Sequence, residues 1–308
     1  MRRKTISNVA DLNRITIQEA TERFIKHCRV RNLSAQTIKY YTEDCNYFAA
    51  RVAAEYIDEV NHDVLEDFIF QEIENGKKVS SLNTRIRGLR VFFNFCAERD
   101  YMEGFKFQLL KQDKEIKEPY TDEELKRLLA RQRSASWVEW RTWAAINYMV
   151  ATGNRISTVL NMKIRDVNFA ENTIRLTTVK NRRQQIVPLS KALKAVLKDY
   201  LKTWEYTEDD YLFPSYEGGQ LVRRSFQGAL VRYNTARGVS KTSAHLFRHT
   251  YAKNFILAGG GMVQLQTLLG HSTMDMSRHY VNIYSTELQQ NYERLNPLDT
   301  FLKRATDL

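Results

Sequence analysis

Four prolines and twelve glycines in 308 residues leave this chain few places to break a helix. Apolar residues recur at helical spacing through most of its length, so the chain reads as mainly α. Four such segments fill the first hundred residues. Ile17 to Val30 places Ala20, Phe24, Ile25 and Cys28 on one face. A second starts behind Ser34, a good N-cap residue, and runs through Ile38, Tyr41, Cys45 and Phe48. A third spans about Val64 to Ile73. The fourth, about Ser81 to Glu98, sets Leu89, Phe92, Phe93 and Cys96 on its apolar side and Arg85, Arg87 and Arg90 on the other. That basic stripe suits a phosphate backbone, and equally a solvated face.

Residues 103–118 are polar, lysine-rich and only weakly periodic, as expected of a linker. A new helix opens at Thr121, with Glu124 three residues on in a capping-box pattern. The expected division is a helical domain over 15–102 and a second domain over 119–308. The second is helical with one β interruption. TIRLTTV alternates and is rich in β-branched residues, and QQIVPL repeats that character after a polar turn at Lys180 to Arg183. This pattern predicts a small antiparallel sheet. Helices resume at about Lys191 and continue through Phe226 to Ala236, Leu246 to Leu257, Val263 to Leu269 and about Met274 to Tyr284.

Charge narrows the partners. The chain carries 47 Lys and Arg against 36 Asp and Glu, a net +11, which favours a polyanion such as nucleic acid. Residues 1–117 hold 20 basic and 18 acidic side chains, and the rest holds 27 and 18, so most of the excess lies in the second domain. Three cysteines without CxxC spacing read as reduced, buried thiols in a cytoplasmic protein. The basic N-terminus lacks the apolar stretch of a secretory signal, and the longest apolar run, Trp143 to Ala151, is too short to span a bilayer. No membrane association is expected.

Six residues in the second domain make a chemical set: Arg155 in ATGNRIS, Lys180 in VKNRR, His245 and Arg248 in HLFRHT, His271 in LLGHS, and Tyr280 in RHYVNIY. A phosphodiester attacked by a phenolic oxygen gains negative charge on its non-bridging oxygens. Two permanently charged guanidinium groups, Arg155 and Arg248, suit that state. A phenol of ordinary pKa about 10 needs a cationic site and a nearby base, for which His245 is the candidate. His271 is placed as a donor to the phosphate, and Lys180 as the acid that protonates the leaving 5′ oxygen. Arg182 and Arg183 beside Lys180 are further candidates for DNA contact. Four of the six histidines lie between His245 and His279, yet a metal site is not expected. The segment HLFRH has no Glu after its first His, Arg248 would repel a cation, and no cysteine lies in this half.

These segments resemble the tyrosine recombinase (phage integrase) family. ATGNRIS resembles TGxRxSE, HLFRHTYA resembles HxLRHTFA, and LLGHSTMDMSRHY resembles LGHSxxxxTxxY, with the family's interval from His271 to Tyr280. Lys180 falls at the family's β-hairpin lysine. LSAQTIKYYTEDCNYF is similar to the family's core-binding (SAM-like) domain, so the resemblance spans about residues 15 to 290. It implies a C-shaped clamp on double-stranded DNA and a homotetramer exchanging strands through a Holliday junction. It also implies a 3′-phosphotyrosyl intermediate that needs neither metal nor ATP, and a tail from Glu287 to Leu308 that docks on a neighbour. The short segment ahead of the core-binding region implies an architecture without an arm-binding domain. Thr158 stands where the family usually has an acid, and Ala244 where it often has Pro. Tyr284, one turn beyond Tyr280, is the rival nucleophile. The leading expectation is an integrase of a mobile element. A Xer-type resolvase of chromosome dimers stands close beside it, a type IB topoisomerase is a third class, and a non-catalytic DNA-binding regulator is more remote.

Overall fold

The computed structural model describes residues 14–112, 118–131, 136–176 and 185–270. It divides into two compact units, Met1–Glu115 and Ile116–Leu308.

In the first unit, helices α1 (Ile17–Val30), α2 (Ala35–Ala49), α3 (His62–Glu74) and α4 (Val79–Ala97) surround an aromatic core. The sequence starts these helices with local caps. The Glu19 N–H donates to Thr16 Oγ1 and the Thr16 N–H donates back to Glu19 Oε2, both at 3.1 Å. The Thr37 N–H donates to Ser34 Oγ at 3.1 Å. Each such cap stabilises its helix by about 1 kcal/mol. Phe24 meets Phe92 at 5.5 Å and Phe48 meets Phe68 edge-on at 5.1 Å between ring centroids. Burying each of these rings contributes roughly 2–3 kcal/mol. Cys28, Cys45 and Cys96 are free thiols buried in this core. Burial pushes all three up, Cys96 to about 12, so they remain protonated and unreactive.

The stretch expected as a linker departs from that expectation as far as Gln112. Phe105, Phe107, Leu109 and Leu110 pack against the first core. Asn83 clasps Leu110 in both directions: its Nδ2 donates to the Leu110 carbonyl at 2.9 Å and its Oδ1 accepts the Leu110 N–H at 2.8 Å. The alternation of apolar residues at 105, 107 and 109 is an extended segment laid on helices, a period that a search for helical spacing passes over.

The second unit is built around α6 (Trp137–Thr152), which is buried on nearly every side. Trp140 and Trp143 stack at 4.3 Å and 9°. Helices α5 (Asp122–Leu129), α8 (Lys191–Leu201), α9 (Arg223–Thr235) and α10 (Ala244–Leu257) pack on α6, while α7 (Ile156–Asn161) follows it in the chain and α11 (Met262–Leu269) packs on α10. Thr121 and Glu124 form the expected capping box at α5. The sheet has three antiparallel strands: β1 (Val167–Asn168), β2 (Thr173–Leu176) and β3 (Gln185–Pro188). Ile174 pairs with both Val167 and Val187, and all three side chains are buried. No described helix is long and apolar enough to cross a membrane.

Candidate active site

The helix α6 ends at Gly153, whose backbone is left-handed at φ 63°. Glycine is required there twice over. A non-glycine residue is strained at that φ, and a Cβ would lie 2.5 Å from Tyr251 Cδ1 and 2.7 Å from Leu269 Cδ2. The next residue is pinned from below. Asn154 Nδ2 donates to the buried Tyr148 hydroxyl at 2.9 Å, and the Asn154 N–H donates to Thr152 Oγ1 at 3.3 Å. This short, rigid turn presents Arg155 as the half-buried N-cap residue of α7.

The helix α10 supplies the next pair. Its apolar residues Leu246 and Phe247 are buried, and Phe247 stacks on Tyr120 at 4.4 Å. The Tyr120 N–H donates to Thr250 Oγ1 at 3.0 Å, so the start of the second unit holds α10 in place. On the same helix His245 is exposed and His249 half-buried, their rings edge-on at 4.7 Å. Arg248 is only 2% exposed. Its Nη1 donates to the Gly153 carbonyl and its Nη2 to the Leu269 carbonyl, each at 2.9 Å. Those carbonyls terminate α6 and α11, where helix dipoles concentrate negative charge, so they compensate a buried cation and fix its plane. One guanidinium therefore ties together the three sequence segments ATGNR, HLFRH and LLGH.

The helix α11 closes the arrangement. It ends at the left-handed Gly270, φ 62°, immediately before His271 in the chain. Gln185, the first residue of β3, donates from Nε2 to the Thr267 carbonyl and to the Leu268 carbonyl, the latter at 3.3 Å. The end of the β2–β3 ladder where Leu176 pairs with Gln185, the last residue of β2 with the first of β3, thus abuts the C-terminus of α11. Sequence reasoning missed Gln185. Its position at the start of a β-rich run was visible, but its contact spans 82 residues.

Of the expected residues, Arg155, His245 and Arg248 lie in this unit as described. Lys180, Arg182, Arg183, His271 and Tyr280 lie outside the described residues, as do His279, Tyr284, the helix expected at 274–284 and the tail from Glu287. Thr158, at the usual acidic position, is buried in α7. Tyr251 packs under Gly153, and burial pushes its phenol above the ordinary value. Among the described residues, the one His/acid cluster close enough for a metal is His62, Asp63 and Glu66, exposed on α3 of the first unit.

The arginine stripe of α4 divides. Arg85 pairs with Asp44 at 3.4 Å and stacks on the Tyr47 ring at 3.4 Å. Arg90 donates to the Phe107 carbonyl. Arg87 is exposed.

The profile of the phage integrase family matches residues 119–287, and that of the phage integrase N-terminal SAM-like domain matches residues 21–100. The chain belongs to the phage integrase family. Among relatives of this integrase-family chain is tyrosine recombinase XerC of Oceanobacillus iheyensis, 26% identical over 289 residues, covering 89% of this chain and 94% of the relative. Tyrosine recombinase XerD of Haemophilus ducreyi is 25% identical, covering 87% and 93%. In fold the chain is similar to the Tn1549 transposon integrase solved with transposon right end DNA, with TM-score 0.75 at 20% identity, covering 86% of this chain and 94% of the other.

Replacing Gly153 with Ala tests the packing of the site. Left-handed strain and the Tyr251 and Leu269 clashes together are expected to cost about 2–4 kcal/mol. All four tryptophans lie in the second unit, so urea unfolding followed by tryptophan fluorescence reads that unit alone. A midpoint unchanged from the parent chain would show that the turn adapts and that the glycine is not structurally required.

Proposed function

We propose that this chain is a site-specific DNA recombinase of the Xer type. It cuts one strand of duplex DNA with Tyr280 and rejoins it to another. The observation that carries the chemistry is Arg248, a buried guanidinium locked between the ends of α6 and α11. In the reaction the Tyr280 oxygen attacks the phosphorus, a 3′-phosphotyrosyl bond forms, and the bond to the 5′ oxygen breaks. Arg155 and Arg248 hold the non-bridging oxygens, and donors fixed before charge develops need no reorganisation when it does. His245 takes the phenolic proton, His271 donates to the phosphate, and Lys180 protonates the leaving 5′ oxygen. In the second step a 5′-hydroxyl of the partner strand attacks the same phosphorus and expels Tyr280. One phosphoester replaces another in each step, so no nucleotide is consumed. The core-binding helices over 15–102 and the catalytic domain over 119–308 both bind the duplex, and four chains assemble on two sites.

The Xer reading is favoured over a mobile-element integrase because the XerC and XerD relatives match along nearly their whole length. The transposon integrase shares the fold, which does not choose between the two. The first test is covalent trapping. The protein is incubated in EDTA, without ATP, with nicked duplexes carrying either a chromosomal dimer-resolution site or the junctions flanking its gene. An adduct that survives denaturation is expected on the dimer-resolution site. An adduct confined to the gene-flanking junctions would make the chain a mobile-element integrase. Tight binding to both without any adduct would remove the recombinase reading in favour of a DNA-binding regulator.

A further inference from the structure

Strand β3 breaks the usual alternation of a half-buried strand. Val187 is buried and Ile186 is 71% exposed, so the pleat puts Gln185 on the inward face with Val187. An amide points inward, and the isoleucine beside it stands in water. A polar group turned toward a core is costly unless it is hydrogen-bonded, and such a break in a local rule tends to mark a functional position.

The bonding partner of that amide is the last turn of α11. Gln185 Nε2 donates to the Thr267 carbonyl and, at 3.3 Å, to the Leu268 carbonyl. Arg248 Nη2 donates to the next carbonyl along, that of Leu269, at 2.9 Å. Gln185 and Arg248 therefore share three consecutive carbonyls at a helix end, where the helix itself supplies no donor. The amide is also closely fitted. Its Oε1 lies 3.0 Å from the place a Cβ on residue 270 would occupy, and Gly270, left-handed at φ 62°, carries none. The Gly270 N–H closes the turn by donating to the Thr267 carbonyl at 3.0 Å. Neighbouring peptide planes turn together, so an amide that fixes the Thr267 and Leu268 carbonyls also fixes the direction of the Leu269 carbonyl.

We propose that Gln185 is a positioning residue for strand cleavage: its amide holds the end of α11 so that the Leu269 carbonyl keeps the Arg248 guanidinium in its reactive plane. Gln185 touches no substrate in this role and acts through Arg248. The inference rests on the reading of Arg248 as the group that holds the non-bridging oxygens. It follows that losing the amide slows the chemical step and leaves DNA binding alone, since a small displacement of a fixed donor is costly only as charge develops.

Single-turnover cleavage of a nicked duplex by the full chain tests it. Gln185→Glu keeps the shape and turns the donor into an acceptor aimed at carbonyls. It is expected to lower the rate at saturating DNA by about 10–100-fold and to leave the half-saturating DNA concentration within about two-fold. Gln185→Arg restores N–H donors beside the same carbonyls and is expected to recover the rate to within about five-fold of the parent. The same chains are then given a methylphosphonate at the scissile position. A methyl group there replaces one charged non-bridging oxygen, so Arg248 has less charge to meet, and the deficit of Gln185→Glu is expected to shrink several-fold. A general loosening of the fold would leave an equal deficit on both substrates, and that result overturns the proposal. A Gln185→Glu chain that cleaves like the parent also overturns it. So does a deficit abolished by a bridging 5′ sulfur, which leaves without a proton and would place the effect on the leaving group. A parent chain that cuts none of these substrates fails at the recombinase reading itself and takes this inference with it, whereas an active parent beside an equally active Gln185→Glu chain refutes this inference alone.

Discussion

Tyr280→Phe is expected to abolish the covalent DNA adduct completely while leaving DNA affinity within about two-fold. Phenylalanine keeps the ring and removes the only atom that can bond to phosphorus, so packing survives and chemistry does not. Tyr284→Phe and Tyr251→Phe serve as controls and should retain the adduct. Tyr251 has a physical reason to be inactive: it packs under Gly153 and stacks on Phe255 at 5.9 Å. Its phenol, already a weak nucleophile at neutral pH, is pushed up further by burial. Denaturing gels of trapped complexes read all three variants at once. An adduct lost only with Tyr284→Phe would keep the reaction and move the nucleophile by one helical turn.

Arg248→Lys is expected to lower single-turnover cleavage by about 10²–10³-fold, the scale of losing one preorganised donor to a developing oxyanion. Charge is conserved in this change and geometry is not. Arginine offers five N–H donors in a plane, and two of them already bridge carbonyls at the ends of α6 and α11. A lysine ammonium is a single point of charge that cannot hold the same two carbonyls and a phosphate in one plane. Leaving a buried carbonyl unpaired should also cost the second unit about 1–3 kcal/mol, read by tryptophan fluorescence during unfolding. A lysine variant that cleaves within ten-fold of the parent would show that charge alone suffices and that the carbonyl bridge is incidental to catalysis.

Much of the architecture was legible in the sequence because it depends on neighbours along the chain. Ser34 and Thr121 announced their helices, since a cap is decided by residues three apart. The buried faces of α1 and α4 followed from helical periodicity, and the β2–β3 ladder followed from alternation on both sides of a polar turn. Strand β1 was too short, at two residues, to leave any periodic trace. The packing of 103–112 on the first unit escaped for a related reason: its period of two was judged against a helical one.

The candidate site was legible as a set of residue types in a given order, because phosphoryl transfer to tyrosine demands guanidinium groups, a base and a phenol. The order by itself could not say what holds them. Among the α4 arginines, the sequence offers three equivalent side chains, and folding makes them unequal: Arg85 is drawn to Asp44 and Tyr47, Arg90 to the Phe107 carbonyl, and Arg87 is left in solvent. Arg248 is bridged by carbonyls 95 and 21 residues away, and Gln185 reaches α11 across 82. The sequence by itself determined the helices, the ladder and the chemical inventory, because caps, periods and functional groups are local. Only the tertiary structure decided which arginine is buried, which is paired and which is free to meet solvent, because backbone carbonyls look alike in sequence until the chain brings particular ones together.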